Sequence, residues 1–146
     1  MQKLFLIFYL INLSLNAQIE LLTKVDSLFN IGDYKSALSK LENSKSKSFE
    51  LLNKSGNIYQ QIGDYTKAID FYEKALELNL SQKTKENLGK CYQKNNNTSK
   101  AILLFEAVLK ENSNNLLLKY HLAKLYKSKR KFKKATVLFK DLILIT

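Results

Sequence analysis

The chain has 146 residues, of which 45% are hydrophobic and 25% charged, with no proline, four glycines and a single cysteine. These values describe one compact domain and exclude a disordered chain, a collagen and a disulfide-stabilised scaffold. The 24 basic and 13 acidic side chains leave a net charge of +11, which raises the question of an anionic partner.

The amino-terminal segment has the composition of a secretory signal peptide. After Lys3 comes an apolar run of twelve residues, 4–15, and a small residue follows at Ala17. Such a run is too short for a membrane span of about twenty residues. We therefore predict a signal peptide at 1–17, cleavage after Ala17, and export of a domain at 18–146 to the periplasm or the exterior. Leu15 is bulky where cleavage sites prefer a small residue, so an uncleaved membrane anchor is the alternative.

Small and aromatic residues recur along the rest of the chain at a nearly constant separation. Alanines spaced by 31, 33 and 34 residues lie at Ala37, Ala68, Ala101 and Ala135. The residues four places after these alanines are Leu41, Tyr72, Phe105 and Phe139. Upstream of the last three alanines are Tyr59, Tyr92 and Tyr126, and three residues before the first two of these tyrosines are Gly56 and Gly89. Spacings of three and four residues place side chains on one helical face, so the pattern predicts paired helices.

This skeleton of G-x-x-Y followed by A-x-x-x-F, with a period of about 34 residues, resembles the tetratricopeptide repeat. The resemblance implies an all-α fold, a right-handed α-solenoid of four helix-turn-helix repeats at residues 18–48, 49–81, 82–115 and 116–146. Glycine and alanine would let paired helices approach closely. Tyr72, Phe105 and Phe139 would fill the space between one repeat and the next.

Turn and capping residues are predicted between the helices. Gly32–Asp33 and Gly63–Asp64 are typical of a glycine that ends one helix and an aspartate that caps the next. In the third repeat we expect Thr98–Ser99 to take the capping role. Because the chain has no proline, Asn79 and the polar residues 112–115 are expected to end the second helices.

Residues suited to catalysis or metal binding are scarce. The chain has one histidine, His121, one cysteine, Cys91, and no pair of carboxylates at a spacing that indicates acid–base chemistry. Cys91 is predicted to be a buried apolar filler, and His121 a surface or groove residue. The sequence therefore predicts a protein that is not an enzyme and that takes neither a cofactor nor a metal.

The resemblance also implies where a partner binds, because the first helices of tetratricopeptide repeats line a concave surface that holds a peptide. By helical spacing, the candidate groove residues are Asn57, Asn87, Lys90, Lys94, Tyr120 and Lys124. Co-chaperones of the family grip a peptide carboxylate with two asparagines and three basic residues. Asn57 and Asn87 match the asparagines, but the basic positions read Asn53, Leu117 and His121, so that clamp is incomplete. We expect a protein-protein interaction scaffold or adaptor for a peptide or protein.

Positive charge is concentrated near the carboxyl terminus, where residues 116–146 hold nine basic side chains and one acidic one. Six of these cations, here called the basic edge, are Lys127, Lys129, Arg130, Lys131, Lys133 and Lys134. The basic edge favours an alternative function, the binding of anionic envelope polymers or lipid headgroups. Lysine outnumbers arginine 23 to 1, which is typical of an AT-rich genome and not of phosphate recognition. A solvated surface is thus the simpler interpretation, and nucleic acid is not an expected partner.

The last residues, from Leu142 to Ile145, are apolar, and no polar capping element follows them. We expect this end of the last helix to be an interface, through self-association or docking on a partner; the alternative is that the sequence is a fragment of a longer array. After removal of the signal segment, no stable insertion into a membrane is expected.

Overall fold

The computed structural model describes residues 1–44 and 46–144, and these residues form helices joined by short connections. The helices are α1 Gln2–Asn30, α2 Tyr34–Glu42, α3 Phe49–Gln61, α4 Tyr65–Leu78, α5 Gln82–Lys94, α6 Thr98–Glu111, α7 Leu116–Ser128 and α8 Phe132–Ile143. No strand occurs in the two described ranges. Ile145, which the sequence analysis places in the apolar carboxyl-terminal surface, lies outside the described residues.

Consecutive helices form hairpins that stack in chain order. α1 packs on α2, α3 on α4, α5 on α6 and α7 on α8. Each hairpin then packs on the next one, through contacts of α2 with α3, α4 with α5 and α6 with α7. The predicted all-α architecture of helix-turn-helix units is therefore confirmed, with its core distributed along the stack.

The first two hairpin turns follow the glycine–aspartate prediction. Gly32 and Gly63 have φ angles of +80° and +83°, in the left-handed region that glycine adopts without a steric penalty. Asp33 and Asp64 then accept hydrogen bonds from the backbone N–H of Ser36 and Lys67, each at 3.1 Å. Both aspartates therefore cap the helices that follow them.

The predicted cap of the third repeat, Thr98–Ser99, is wrong. Asn97 caps α6 and accepts the backbone N–H of Lys100 at 3.3 Å, while Thr98 is the first helical residue. Asn97 lies four residues before the core alanine, the position that Asp33 and Asp64 hold in their own hairpins. The register of the cap is thus set by distance from the core and not by the presence of a hydroxyl side chain.

The alanines of the repeat lie at the centre of each hairpin, where Ala37, Ala68 and Ala101 are 0% exposed and Ala135 is 3% exposed. The glycines of the repeat make room for rings. A β-carbon on Gly56 would lie 2.7 Å from the ring of Tyr72, and one on Gly89 would come closer still to the ring of Phe105. Small residues are therefore required on both helices of a pair.

Enlarging a core alanine should destabilise the protein. We expect Ala101→Leu to lower the free energy of unfolding by about 1–3 kcal/mol, because the added atoms overpack the α5–α6 hairpin. Ala107→Leu adds the same atoms at an exposed position of the same helix and should change it by less than about 0.5 kcal/mol. Urea unfolding followed by circular dichroism measures both. Equal effects for the two variants would contradict the helix pairing.

A tyrosine, a lysine and a glutamate join each hairpin to the one before it. The Tyr92 hydroxyl donates to Glu73 and accepts from Lys100 at 2.9 Å, while the Lys100 ammonium lies 4.7 Å from the centre of the Tyr92 ring. The next junction has the same three residue types: the Tyr126 hydroxyl donates to Glu106, and the Lys134 ammonium donates to Glu106 at 3.4 Å and lies 5.2 Å from the centre of the Tyr126 ring. We call each such trio a junction trio; it spans two hairpins and packs a cation on an aromatic face.

The first junction has the same residue types. Lys67 lies 5.1 Å from the centre of the Tyr59 ring, and burial together with the nearby Glu42 carboxylate raises the pKa of Tyr59. A protonated phenol can donate its hydrogen bond to a carboxylate, so the raised pKa is consistent with the role that tyrosine plays at the other two junctions.

Helix α1 runs without interruption from the apolar amino-terminal segment into the stack. Residues 1–17 are exposed, and contacts with the rest of the chain strengthen at Gln18, whose amide donates to the Ser48 hydroxyl at 2.9 Å. By length and composition α1 is able to cross a membrane, a test that amino-terminal signal sequences also pass. The predicted cleavage point after Ala17 thus falls inside one continuous helix, directly before Gln18, the first partly buried residue of that helix.

The last hairpin departs from the predicted packing. Tyr72 and Phe105 are fully buried between hairpins, whereas Phe139 is only half-buried. Within the described residues, no helix packs on the outer side of α8 in the way that α5 and α7 pack on the helices before them. Phe139 therefore lines the surface instead of filling a space between two repeats.

Candidate functional site

The first helices of the last three hairpins, α3, α5 and α7, are linked by polar side chains that form a common surface, here called the first-helix face. Thr84 donates to the Asn53 carbonyl at 2.9 Å, which joins α5 to α3. Asn115, at the start of α7, donates to Glu86 of α5 at 3.3 Å. These bonds fix the helices side by side, so that residues far apart in the sequence share one surface.

The two predicted groove asparagines lie together on this face and bind each other. The Asn87 amide donates to the Asn57 carbonyl at 3.3 Å, and the Tyr72 hydroxyl reaches Asn57 and Gln60, each at 2.7 Å. Burial raises the pKa of Tyr72, so its hydroxyl stays protonated and acts as the donor. Asn57 and Asn87, both half-buried, are therefore joined in one hydrogen-bond network on this face.

The predicted groove lysines lie around one cleft of about 360 Å³, here called the basic cleft. Its lining residues are Gln60, Gln61, Tyr65, Lys90, Gln93, Lys94, His121 and Lys124. Lys90 is half-buried and pairs with Glu86 at 2.5 Å. In contrast, no carboxylate of the described residues lies within 4.0 Å of the ammonium groups of Lys94 and Lys124.

His121 is a half-buried residue of the basic cleft, like Lys90. Its ring centre lies 6.4 Å from that of Phe105 and 6.1 Å from that of Tyr120. Burial lowers the pKa of His121, and the nearby Lys90, Lys124 and Lys94 lower it further, against a smaller opposing effect of Glu86. The imidazole is therefore neutral at pH 7 and becomes charged only when the pH falls or when an anion arrives.

A second cleft of about 560 Å³, here called the aromatic cleft, adjoins the basic cleft and shares Lys124 with it. Its lining residues are Tyr120, Lys124, Lys127, Ser128 and Phe139. Tyr120 is 45% exposed, and its ring meets that of Phe139 edge to face with centres 6.4 Å apart. The Lys124 ammonium lies 5.5 Å from the centre of the Tyr120 ring. The predicted groove residues Tyr120 and Lys124 thus connect a charged recess to an aromatic one.

The basic edge lies at the turn between α7 and α8 and at the start of α8. Lys134 pairs with Glu106 at 3.4 Å and belongs to a junction trio. The other five cations of the edge have no carboxylate within 4.0 Å among the described residues. A cleft of about 410 Å³ beside Lys129, Lys131 and Lys134 includes the apolar Ile102 and Leu103.

The one cysteine of the sequence lies in the core. Cys91 is fully buried as predicted, and burial raises the pKa of its thiol to about 12, which keeps it un-ionised and unreactive. Among the described residues, no three side chains of histidine, cysteine, aspartate or glutamate gather where they could hold a metal ion.

Residues outside the predicted groove set also line the two clefts. Gln61 and Gln93 line the basic cleft beside the predicted lysines, and Phe139 joins Tyr120 in the aromatic cleft. Another cleft, of about 610 Å³, lies elsewhere, between α1 and the α2–α3 connection, and Ala17 forms part of its wall.

Two stretches of the chain match models of the tetratricopeptide repeat, at residues 49–81 and 87–115. These residues therefore carry tetratricopeptide repeats. No curated protein matches the sequence.

Solved structures share the fold. A crystal structure of MamA superposes with a TM-score of 0.77 at 22% identity, and the match covers 84% of this chain and 74% of MamA. YrrB, described as a TPR protein with an unusual peptide-binding site, gives a TM-score of 0.76 at 19% identity over 84% of this chain and 65% of its own. A tetratricopeptide repeat protein from Parabacteroides merdae gives 0.78 at 23% identity over 87% and 52%. At these identities the likeness shows the fold, an α-solenoid of helical hairpins.

Proposed function

We propose that the protein is a non-catalytic interaction scaffold, or adaptor, which binds a peptide or a segment of a protein along the first-helix face. The observation that carries this proposal is the run of adjoining open clefts, basic and then aromatic, on helices held side by side. A surface of this kind offers charge and apolar area to an extended ligand without enclosing it. The fold shared with YrrB, whose description includes peptide binding, supports the same function.

We also propose that the protein works outside the cytoplasm, with residues 1–17 as its signal peptide. Two features support this. Large apolar side chains along residues 4–15 are more than half exposed, and the chain makes side-chain hydrogen bonds to the stack from Gln18 onward. Removing residues 1–17 would leave the bonds of Gln18 to Ser48 and Glu50 with their partners in place.

Site-specific crosslinking in the native cells tests the scaffold function. We would place the photoreactive residue p-benzoylphenylalanine at Tyr120 on the first-helix face, and as a control at Leu78, which is 57% exposed at the end of α4. The expected result is one or a few discrete protein adducts at position 120 and none at position 78. An absence of adducts at position 120, or the same adducts at both positions, would contradict binding at this face.

A second candidate function rests on the unpaired cations of the basic edge, which could hold anionic envelope polymers or lipid headgroups. Attraction of this kind weakens as salt screens it. The same crosslinker at Leu103, which is 65% exposed beside the basic edge, would then give adducts with polymer or lipid that disappear at high salt. Protein adducts at position 120 that survive high salt would favour the scaffold instead.

A further inference from the structure

We infer that the partner presents an acidic peptide whose carboxylate occupies the basic cleft while an adjacent apolar or aromatic side chain packs on Tyr120 and Phe139 in the aromatic cleft. This inference rests on the proposed function of the first-helix face. It adds to that function the chemical class of the ligand and the residues that select it.

The charge balance of the first-helix face supports an anionic ligand at this place. Lys54 pairs with Asp26, and Lys119 with Asp141 at 3.5 Å. Among the described residues, Lys90 is the one lysine of the basic cleft with a carboxylate partner, so Lys94 and Lys124 leave a surplus of two positive charges in a recess. Charges that converge in a recess attract an anion more strongly than the same charges on an open surface.

The groups around that surplus suit a carboxylate better than a phosphate. Gln61 and Gln93 line the cleft, and their amide groups make no hydrogen bond within the described part of the chain, so both can donate to a ligand oxygen. The cleft also lies at the last turns of α3 and α5, whose carbonyl ends carry partial negative charge. The negative field of these helix ends repels a phosphate dianion more than a carboxylate monoanion. In addition, none of the lining residues is an arginine, the side chain best suited to bind phosphate.

The aromatic cleft adds a second requirement. Because Lys124 lines both clefts, a carboxylate beside its ammonium places the next part of a peptide near Tyr120 and Phe139. Exposed rings that meet edge to face offer apolar area to a side chain from the ligand. A peptide with an acidic residue next to an aromatic or large aliphatic one would satisfy both clefts.

His121 makes the recognition depend on pH. The titratable groups around it are Glu86, Lys90 and Lys94 of α5 and Tyr120 and Lys124 of α7, and α6 contributes the uncharged ring of Phe105. A ligand carboxylate stabilises the imidazolium, so binding takes up a proton. Affinity should therefore rise as the pH falls from about 7.5 to about 5.5, and decline below about 4 when the ligand carboxylate is protonated.

Selection from a phage-displayed library of random twelve-residue peptides tests the inference. The target is the full chain, immobilised at pH 6.5 in a non-ionic detergent that keeps the exposed apolar segment from aggregating. We expect the selected peptides to be enriched in aspartate or glutamate next to an aromatic or large aliphatic residue. A selected peptide should lose at least about tenfold in affinity for the Lys94→Gln/Lys124→Gln variant.

The matched control is Lys110→Gln/Lys140→Gln, which removes the same charge from exposed positions outside the two clefts and should change the affinity less than about twofold. His121→Gln should flatten the rise in affinity between pH 7.5 and 5.5, and an unchanged rise would overturn the role assigned to His121. Thermal unfolding of each variant separates lost binding from lost folding.

Four results would overturn the inference. Selected peptides without acidic enrichment, or equal losses in the two double variants, would leave a peptide-binding face but reject its carboxylate specificity. Tighter binding of a phosphoserine version of the selected peptide than of its glutamate version would reject a carboxylate ligand. If no peptide were selected at all, the proposed function would fail together with the inference.

Discussion

Phe105→Ala should lower the free energy of unfolding by about 3–5 kcal/mol, the largest loss that we expect from a single substitution. Phe105 is 0% exposed, and its ring fills the space that Gly89 leaves on the facing helix. Its removal leaves a cavity between α5, α6 and α7, and the packed helices around it can move only partly into that space. Urea unfolding monitored by circular dichroism measures the change.

Leu103→Ala is the matched control for this substitution. Leu103 lies two residues away on the same helix and is 65% exposed, so its truncation should cost less than about 0.5 kcal/mol. In a stack of repeats each hairpin is stabilised by its immediate neighbours, so the loss at Phe105 is felt at both of its junctions. A cost below about 1 kcal/mol for Phe105→Ala would show that this ring is not the centre of the core.

Ile7→Arg/Leu10→Arg should abolish export and leave the precursor in the cytoplasm. Two cations in the middle of the apolar run break the short apolar core by which a signal peptide is recognised. The conservative pair Ile7→Val/Leu10→Ile keeps that core and should export normally. Cell fractionation followed by immunoblotting compares the two forms, and normal export of the arginine variant would contradict a signal at residues 1–17.

The mass of the exported protein distinguishes a cleaved signal from a retained anchor. Cleavage after Ala17 predicts a mature chain that begins at Gln18, which intact-mass spectrometry identifies directly. A full-length chain recovered from the membrane fraction would instead establish the anchor, in which case α1 would hold the stack at the membrane surface.

Much of the fold could be predicted because its determinants repeat. The position of each core alanine relative to its glycine and aromatic residues specifies which faces meet, and burial of Ala37, Ala68 and Ala101 follows from spacing alone. The capping residue of α6 was mispredicted because hydroxyl side chains were given more weight than register. Counting back four residues from Ala101 leads to Asn97.

The junction trios also have a signature in the sequence, which alone did not predict the contacts between hairpins. A lysine precedes the core alanine in three repeats, at Lys67, Lys100 and Lys134. A glutamate lies five residues after the core alanine in three repeats, at Glu42, Glu73 and Glu106. Such a pattern reads as solvated charge until the offset between hairpins is known, since the glutamate contacts the tyrosine of the following hairpin.

The candidate site was only partly predictable for the same reason. Helical spacing placed Lys90, Lys94 and Lys124 on first helices, and the pairing of Lys90 with Glu86 four residues earlier follows from it. The meeting of Lys94 with His121 across two helices depends on how far α7 is displaced along α5, and no local pattern encodes that displacement. Only the three-dimensional structure reveals a shared recess.

The junction trios make the hairpins of this chain modular units. Each inner hairpin carries the tyrosine and lysine on the side that faces the hairpin before it, and the glutamate on the side that faces the hairpin after it. The glutamate side of one hairpin therefore matches the tyrosine–lysine side of the next. A gene duplication that copied residues 82–115 in place would therefore create a new junction that already contains the tyrosine, the lysine and the glutamate. The array could gain a hairpin in this way without evolving a new interface.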